Sequence, residues 1–127
     1  MAVAVTNAKL LLFNTGYEVA SNAATADTAD LAEVFTITPT RKPSRIAVII
    51  NEVSEGGALA VSVAAGGLWA AGSALSESVA SGKSEAIVLE TAKYLSTSGT
   101  ILITLTPASG KKLKTDHGAT MQVIELP

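Results

Sequence analysis

Short apolar runs recur along the chain, broken by Gly, Pro, Asn or Ser, and in most of them apolar and small residues alternate with a period of two. That is the pattern of half-buried strands joined by tight turns. Residues 31–38 place Leu31, Phe35 and Ile37 on one face, and Pro39, which has no N–H to give a ladder, ends the run. Residues 45–53 hold Ile46, Ala47, Val48, Ile49 and Ile50, apolar on both faces, which predicts a central strand. In 58–64, Leu59, Val61 and Val63 face one way and Ala58, Ala60, Ser62 and Ala64 the other, with Gly56-Gly57 and Gly66-Gly67 as turns on either side. Leu68 to Gly72 reads as a further short strand and is followed by a Ser-rich stretch, Ser73 to Ser84. In 85–90, Ile87 and Leu89 share a face, and Thr91 to Leu95 fits one helical turn at a corner. Residues 100–106 turn Ile101, Ile103 and Leu105 inward before Pro107, and a last strand over 119–126 carries Met121, Val123 and Leu126.

Regular strand spacing with no long amphipathic helical window predicts an all-β fold, an antiparallel β-sandwich or barrel of about seven to nine short strands. At 127 residues one domain is the expectation. Its β core spans 31–127, preceded by residues 1–30 as an N-terminal arm and tether. The run Ala2 to Phe13 is apolar and β-prone, and Ser21 to Asp30, built only of Ala, Thr, Ser, Asn and Asp, reads as a flexible joint. Such an arm can add a strand to another chain's sheet edge or pair with its own sheet, and the sequence leaves both open.

Composition changes this picture by what it lacks. Charged residues are 16% of the chain, against about 25% in ordinary domains, and Ala, Ser, Thr and Gly take their place. Small uncharged side chains lose little rotamer entropy when covered, so this surface suits a protein packed against neighbours. The net charge of −2 and the scattered basic residues, clustered only at Arg41-Lys42 and Lys111-Lys112-x-Lys114, argue against nucleic-acid binding. The absence of cysteine excludes disulfides, thiolate metal sites and a Cys nucleophile. Leu10 to Phe13 is too short for the core of a signal peptide and follows no basic segment, so no secretory address is expected, and no window approaches the roughly 20 apolar residues of a membrane span.

Candidate chemistry is sparse, and no enzyme activity or cofactor is expected. The single histidine, His117, follows Asp116 and could take part in a nucleophilic triad, but no serine lies in a G-x-S-x-G elbow, and 114–118 reads instead as a solvated hairpin turn. Asp27, Asp30, Glu33, Glu52 and Glu55 are too dispersed for a metal loop, and the glycine pairs lack the Lys and helix of a phosphate loop. Trp69 reads as a core residue, an interface anchor or a sugar-stacking platform. The candidate interface is therefore Val3, Val5, Leu10, Leu11, Leu12 and Phe13 of the N-terminal segment, together with Trp69.

A cysteine-free, Ala/Thr/Ser/Gly-rich β chain that begins Met1-Ala2-Val3-Ala4-Val5-Thr6-Asn7 and carries strands such as Arg45-Ile46-Ala47-Val48-Ile49-Ile50-Asn51 and Gly99-Thr100-Ile101-Leu102-Ile103-Thr104 resembles the small auxiliary proteins that decorate the heads of tailed bacteriophages. The resemblance spans the whole length as a style and has no diagnostic motif on which functional residues could be carried over. It implies a virion protein made in the host cytoplasm that sits on the capsid exterior in many copies, as a homo-oligomer such as a trimer. It also implies the major capsid protein as partner, with adjacent capsomers clamped together. The alternatives are another phage structural domain, of tail tube, fibre or adhesion type, and a carbohydrate-binding module using Trp69.

Overall fold

Inward-facing aliphatic side chains at every second position draw two sheets together around one core. The computed structural model describes residues 2–7, 11–40, 44–68 and 73–127. It contains β1 (Ala2–Ala4), β2 (Asn22–Ala23), β3 (Glu33–Ile37), β4 (Arg45–Asn51), β5 (Leu59–Val63), β6 (Leu75–Val79), β7 (Ser84–Glu90), a single helical turn α1 (Thr91–Tyr94), β8 (Ile101–Thr106), a π-turn (Leu113–His117) and β9 (Thr120–Glu125). The first sheet runs β1-β3-β8-β5-β6 and the second β2-β9-β4-β7. Every pairing is antiparallel except that of β1 with β3. The architecture is the all-β sandwich that the alternation predicts.

The register builds continuous rows of core side chains. Val3, Phe35, Ile103, Val63 and Leu75 lie side by side across the five strands of the first sheet. Ile87, Val48 and Val123 do the same in the second. β4, apolar on both faces, is interior to its sheet as its composition predicts: Ile46, Val48 and Ile50 are fully buried, and Ala47 and Ile49 are half-covered on the outer face.

Two stretches differ from the reading of the sequence. The Ser-rich run 73–84 contains a strand, β6, because Leu75 and Val79 are spaced to face inward while Ser76 and Ser78 face out. The presumed flexible joint 21–30 holds β2, and its Ala24 and Ala26 are buried in the core. A methyl group is small enough to enter a core from an otherwise polar segment, and composition alone does not reveal that. The strand expected over 68–72 and the basic pair Arg41-Lys42 extend into or lie outside the described residues.

Candidate functional site

The N-terminal segment folds back onto its own domain. β1 lies along β3, and the Val5 N–H donates to the Thr36 carbonyl (3.0 Å). Asn22 fastens the next residues, accepting the Thr6 N–H at Oδ1 (2.8 Å) and donating from Nδ2 to the carbonyls of Thr6 and Met121 (both 3.0 Å). Val3 and Val5 are half-buried and pack against the core. Beyond them the chain presents a turn in which Leu12 is 61% and Phe13 82% exposed. Asn14 takes a left-handed conformation there (φ 57°), and the Tyr17 hydroxyl accepts the Leu12 N–H (3.3 Å), so the apolar pair is held outward by a closed turn. Leu11 is half-buried beside Glu125, whose carbonyl accepts its N–H (3.4 Å). Leu10 and Trp69 lie outside the described residues.

Among the described residues, the strands of the five-stranded sheet place no charged side chain on its outer face. One row crosses all five strands as Ala2, Val34, Thr104, Ser62 and Ser76. The row beside it places Ala60 between Thr106 and Ser78. Large exposed apolar side chains are absent from this face among the described residues, so what these residues present there is uncharged and lightly polar.

His117 is not in a solvated turn, as its neighbours suggested. It is fully buried, and so is Glu52 at 1% exposure. The π-turn carries the ring inward and ends at Gly118 in a left-handed conformation (φ 57°), where a Cβ would press on Val53 and Ser54. The Ala108 N–H donates to His117 Nε2 (3.0 Å), so Nε2 holds a lone pair and the ring proton sits on Nδ1, which donates to Glu52 Oε2 (2.8 Å). Asp116, the carboxylate next to it in sequence, instead accepts the Lys112 N–H (2.8 Å). Both imidazole nitrogens are engaged and shut off from solvent, so the ring offers no lone pair to a substrate. The pair ties connections together instead. Glu52 also accepts the N–H groups of Glu55 (2.9 Å), Gly56 (2.7 Å) and Gly82 (3.0 Å), linking the β4–β5, β6–β7 and β8–β9 connections at one end of the sandwich.

Two more carboxylates are buried in the same manner. Glu33 accepts the Thr25 N–H (2.7 Å) and hydroxyl (2.6 Å). Glu125 accepts the Thr40 N–H (2.8 Å) and hydroxyl (2.7 Å) and the Asn7 side-chain amide (2.9 Å). Among the described residues no buried side-chain polar atom lacks a partner, as burying charge in so small a core requires. Asp27 and Asp30 bind the chain itself: Asp27 accepts from the Thr115 hydroxyl and N–H, and Asp30 from the Gly110 N–H (2.7 Å). No group of three or more His, Asp or Glu side chains suited to a metal occurs among the described residues, and no described helix is long and apolar enough to cross a membrane.

The network carries a pH signature. Burial raises the Glu52 carboxyl pKa, but the hydrogen bonds from Gly82, His117, Gly56 and Glu55 outweigh it and hold the pKa below its ordinary 4.5. A carboxyl whose pKa falls on folding stabilises the fold fully above its unfolded value and loses that stabilisation as pH drops through the folded one. Asp27, lowered mainly by the Thr115 hydroxyl, acts with the same sign. Thermal unfolding at neutral pH and at about pH 3 is expected to show a smaller acid-induced fall for Glu52→Gln than for the wild type. Equal falls in the two proteins would remove Glu52 as a source of acid lability.

Glu52 and His117 escaped the sequence reading as a pair because 64 residues separate them, yet each continues the inward phase of its strand: Ile46, Val48, Ile50, Glu52 in one and His117, Ala119, Met121, Val123, Glu125 in the other. Comparison with family models, curated proteins and solved structures returned no match.

Proposed function

We propose that this chain is a structural virion protein, a capsid decoration or cement protein that attaches to the outer surface of a phage head and braces adjacent capsomers. The observation that supports the reading is the outer face of the five-stranded sheet, on which the described strands place no charge, with its row Ala2, Val34, Thr104, Ser62 and Ser76. A face of short side chains can be covered at small entropic and desolvation cost, and attachment in many copies multiplies a modest contact. The outward pair Leu12 and Phe13 supplies the larger apolar side chains that a rim-and-anchor interface uses.

Incubation of the purified protein with expanded, undecorated shells, followed by co-sedimentation, tests this. Attachment in the micromolar range is expected, and Phe13→Ala should weaken it by roughly thirtyfold, the change that about 2 kcal/mol from an aromatic anchor produces. Because Phe13 is exposed, its replacement leaves the fold intact. Absence of attachment overturns the reading, and formation of rings or tubes by the protein alone would favour a tail-type structural domain.

A further inference from the structure

The four sheet edges are unequally protected. On one side of the sandwich β1 and β2 are short, three and two residues, and Asn22 of β2 is bonded to Thr6 just beyond β1. On the other side the edges are β6, five residues with Glu77 at its centre, and β7, seven residues. β7 is the longest of the four edge strands and has no proline, no lysine and no bulge in its pairing with β4, and its charged residues, Glu85 and Glu90, lie toward its two ends rather than at its centre.

The outward hydrogen-bonding groups of β7 follow from its register. The Glu52 N–H bonds the Lys83 carbonyl (2.9 Å) at one end of the β4–β7 ladder, and the Thr91 N–H bonds the Ser44 carbonyl (3.0 Å) at the other. Antiparallel pairs alternate between bonded and non-bonded, so Glu85, Ile87 and Leu89 exchange bonds with β4. Ser84, Ala86, Val88 and Glu90 therefore turn their backbone groups away from the sheet. Their side chains lie on its outer face, where Val88 is 61% exposed and continues a row through Ala47 to Ile124.

We propose that β7 pairs with β7 of a second copy of this chain, antiparallel about a two-fold axis at Ile87, joining two four-stranded sheets into one. Self-complementarity selects a second copy as the occupant. With Ile87 on the axis, all four outward residues find partners: Ala86 stands opposite the second copy's Val88, and Ser84 opposite its Glu90. Both relations occur twice, as an isologous contact requires. No carboxylate faces a carboxylate across the seam, and the half-buried Ile87 side chains meet on the axis, covering each other's exposed part. A shift of two residues either way leaves an outward residue at each end unpaired. The outer rows Val88-Ala47-Ile124 and Ala86-Ile49-Gln122 then run across the seam as one surface.

The pairing stands independently of the capsid reading, and its test needs no shell. Sedimentation equilibrium at about 100 µM, high enough to populate a small interface, is expected to give twice the 12.8 kDa of the chain. Val88→Lys, at an exposed position, should return the monomer mass with unchanged thermal unfolding. Because the chain has no cysteine, Ile87→Cys should form a cross-linked dimer under mild oxidation, while Ala60→Cys, on the outer face of the other sheet, should not. A monomeric wild type, a Val88→Lys variant that remains dimeric, or cross-linking at Ala60 in preference to Ile87 would each overturn the proposal.

Discussion

Glu52→Ala is expected to destabilise the fold by about 3–5 kcal/mol, the usual cost of removing one partner from a buried charged network. The change strands four donors at once: the N–H groups of Glu55, Gly56 and Gly82 and the Nδ1–H of His117. They cannot readily turn elsewhere. A Cβ on Gly56 would run into the Asp116 carbonyl, so that loop is packed directly on the π-turn, and His117 is fixed on its other side by the Ala108 N–H. Net stabilities of domains this size are about 5–15 kcal/mol, so the loss is a large share of the total. Glu52→Gln keeps the shape and one good acceptor but turns an NH2 toward N–H donors, and about 1–3 kcal/mol is expected. The check is the urea midpoint at neutral pH with the slope of the transition unchanged. A Glu52→Ala midpoint within error of the wild type would mean that water or loop movement satisfies the stranded donors.

That expectation rests on residues whose position was legible in the sequence, although their role was not. Period-two alternation identified the inward faces of β3, β4, β5, β7 and β8; the same phase includes Glu33 in β3 and reaches Glu52 one step beyond Ile50, and in β9 the phase of Met121 and Val123 runs forward to Glu125 and back through Ala119 to His117. A strand pattern is read from its apolar members, so a carboxylate in phase at the end of a strand looks like the point where the strand leaves the core. What makes it an interior residue is a donor set far away in sequence: Thr25 for Glu33, Thr40 and Asn7 for Glu125, Gly82 and His117 for Glu52. Phase predicts the direction in which a side chain points, and only tertiary contact decides whether a charge there is satisfied. The five-strand row on the outer face was beyond reach for a related reason. Ser62 and Ser76 lie on consecutive strands, but Ala2, Val34, Thr104 and Ser62 become neighbours only through the pairings of β1 with β3, β3 with β8 and β8 with β5, none of which joins strands consecutive in sequence.

Burying these carboxylates also bears on specificity. Glu33 lies at the start of β3 in one sheet and Glu125 at the end of β9 in the other, and each accepts both the N–H and the hydroxyl of one threonine. A slip of one residue in either strand would turn the carboxylate to solvent and orphan the threonine, so each clamp opposes a change of register that the apolar pattern alone would resist only through burial.

Phe35→Ala is expected to cost about 3–5 kcal/mol, toward the upper end of that range. Phe35 is fully buried and, among the described residues, is the one aromatic in the set of largest fully buried side chains. It stands between Val3 and Ile103 in the inner row of the first sheet, and the other fully buried large side chains among the described residues are Ile, Leu and Met. β-branched neighbours are stiff at χ1, and those on paired strands are held by the ladders, so little can move into the vacated space. The row also connects the fold to its N-terminal strand. Val3 is the neighbour of Phe35 in the β1–β3 pairing, so the cavity opens beside the three-residue strand with the fewest ladder bonds in its sheet. Phe35→Leu, which leaves a smaller void, should cost less than half as much. Equilibrium unfolding of the two variants distinguishes a packed row from a loose one, because near-equal midpoints would show that the surrounding side chains collapse into the space. Amide exchange at Val5, whose N–H bonds Thr36, should accelerate more in Phe35→Ala than exchange in β4, which lies in the opposite sheet.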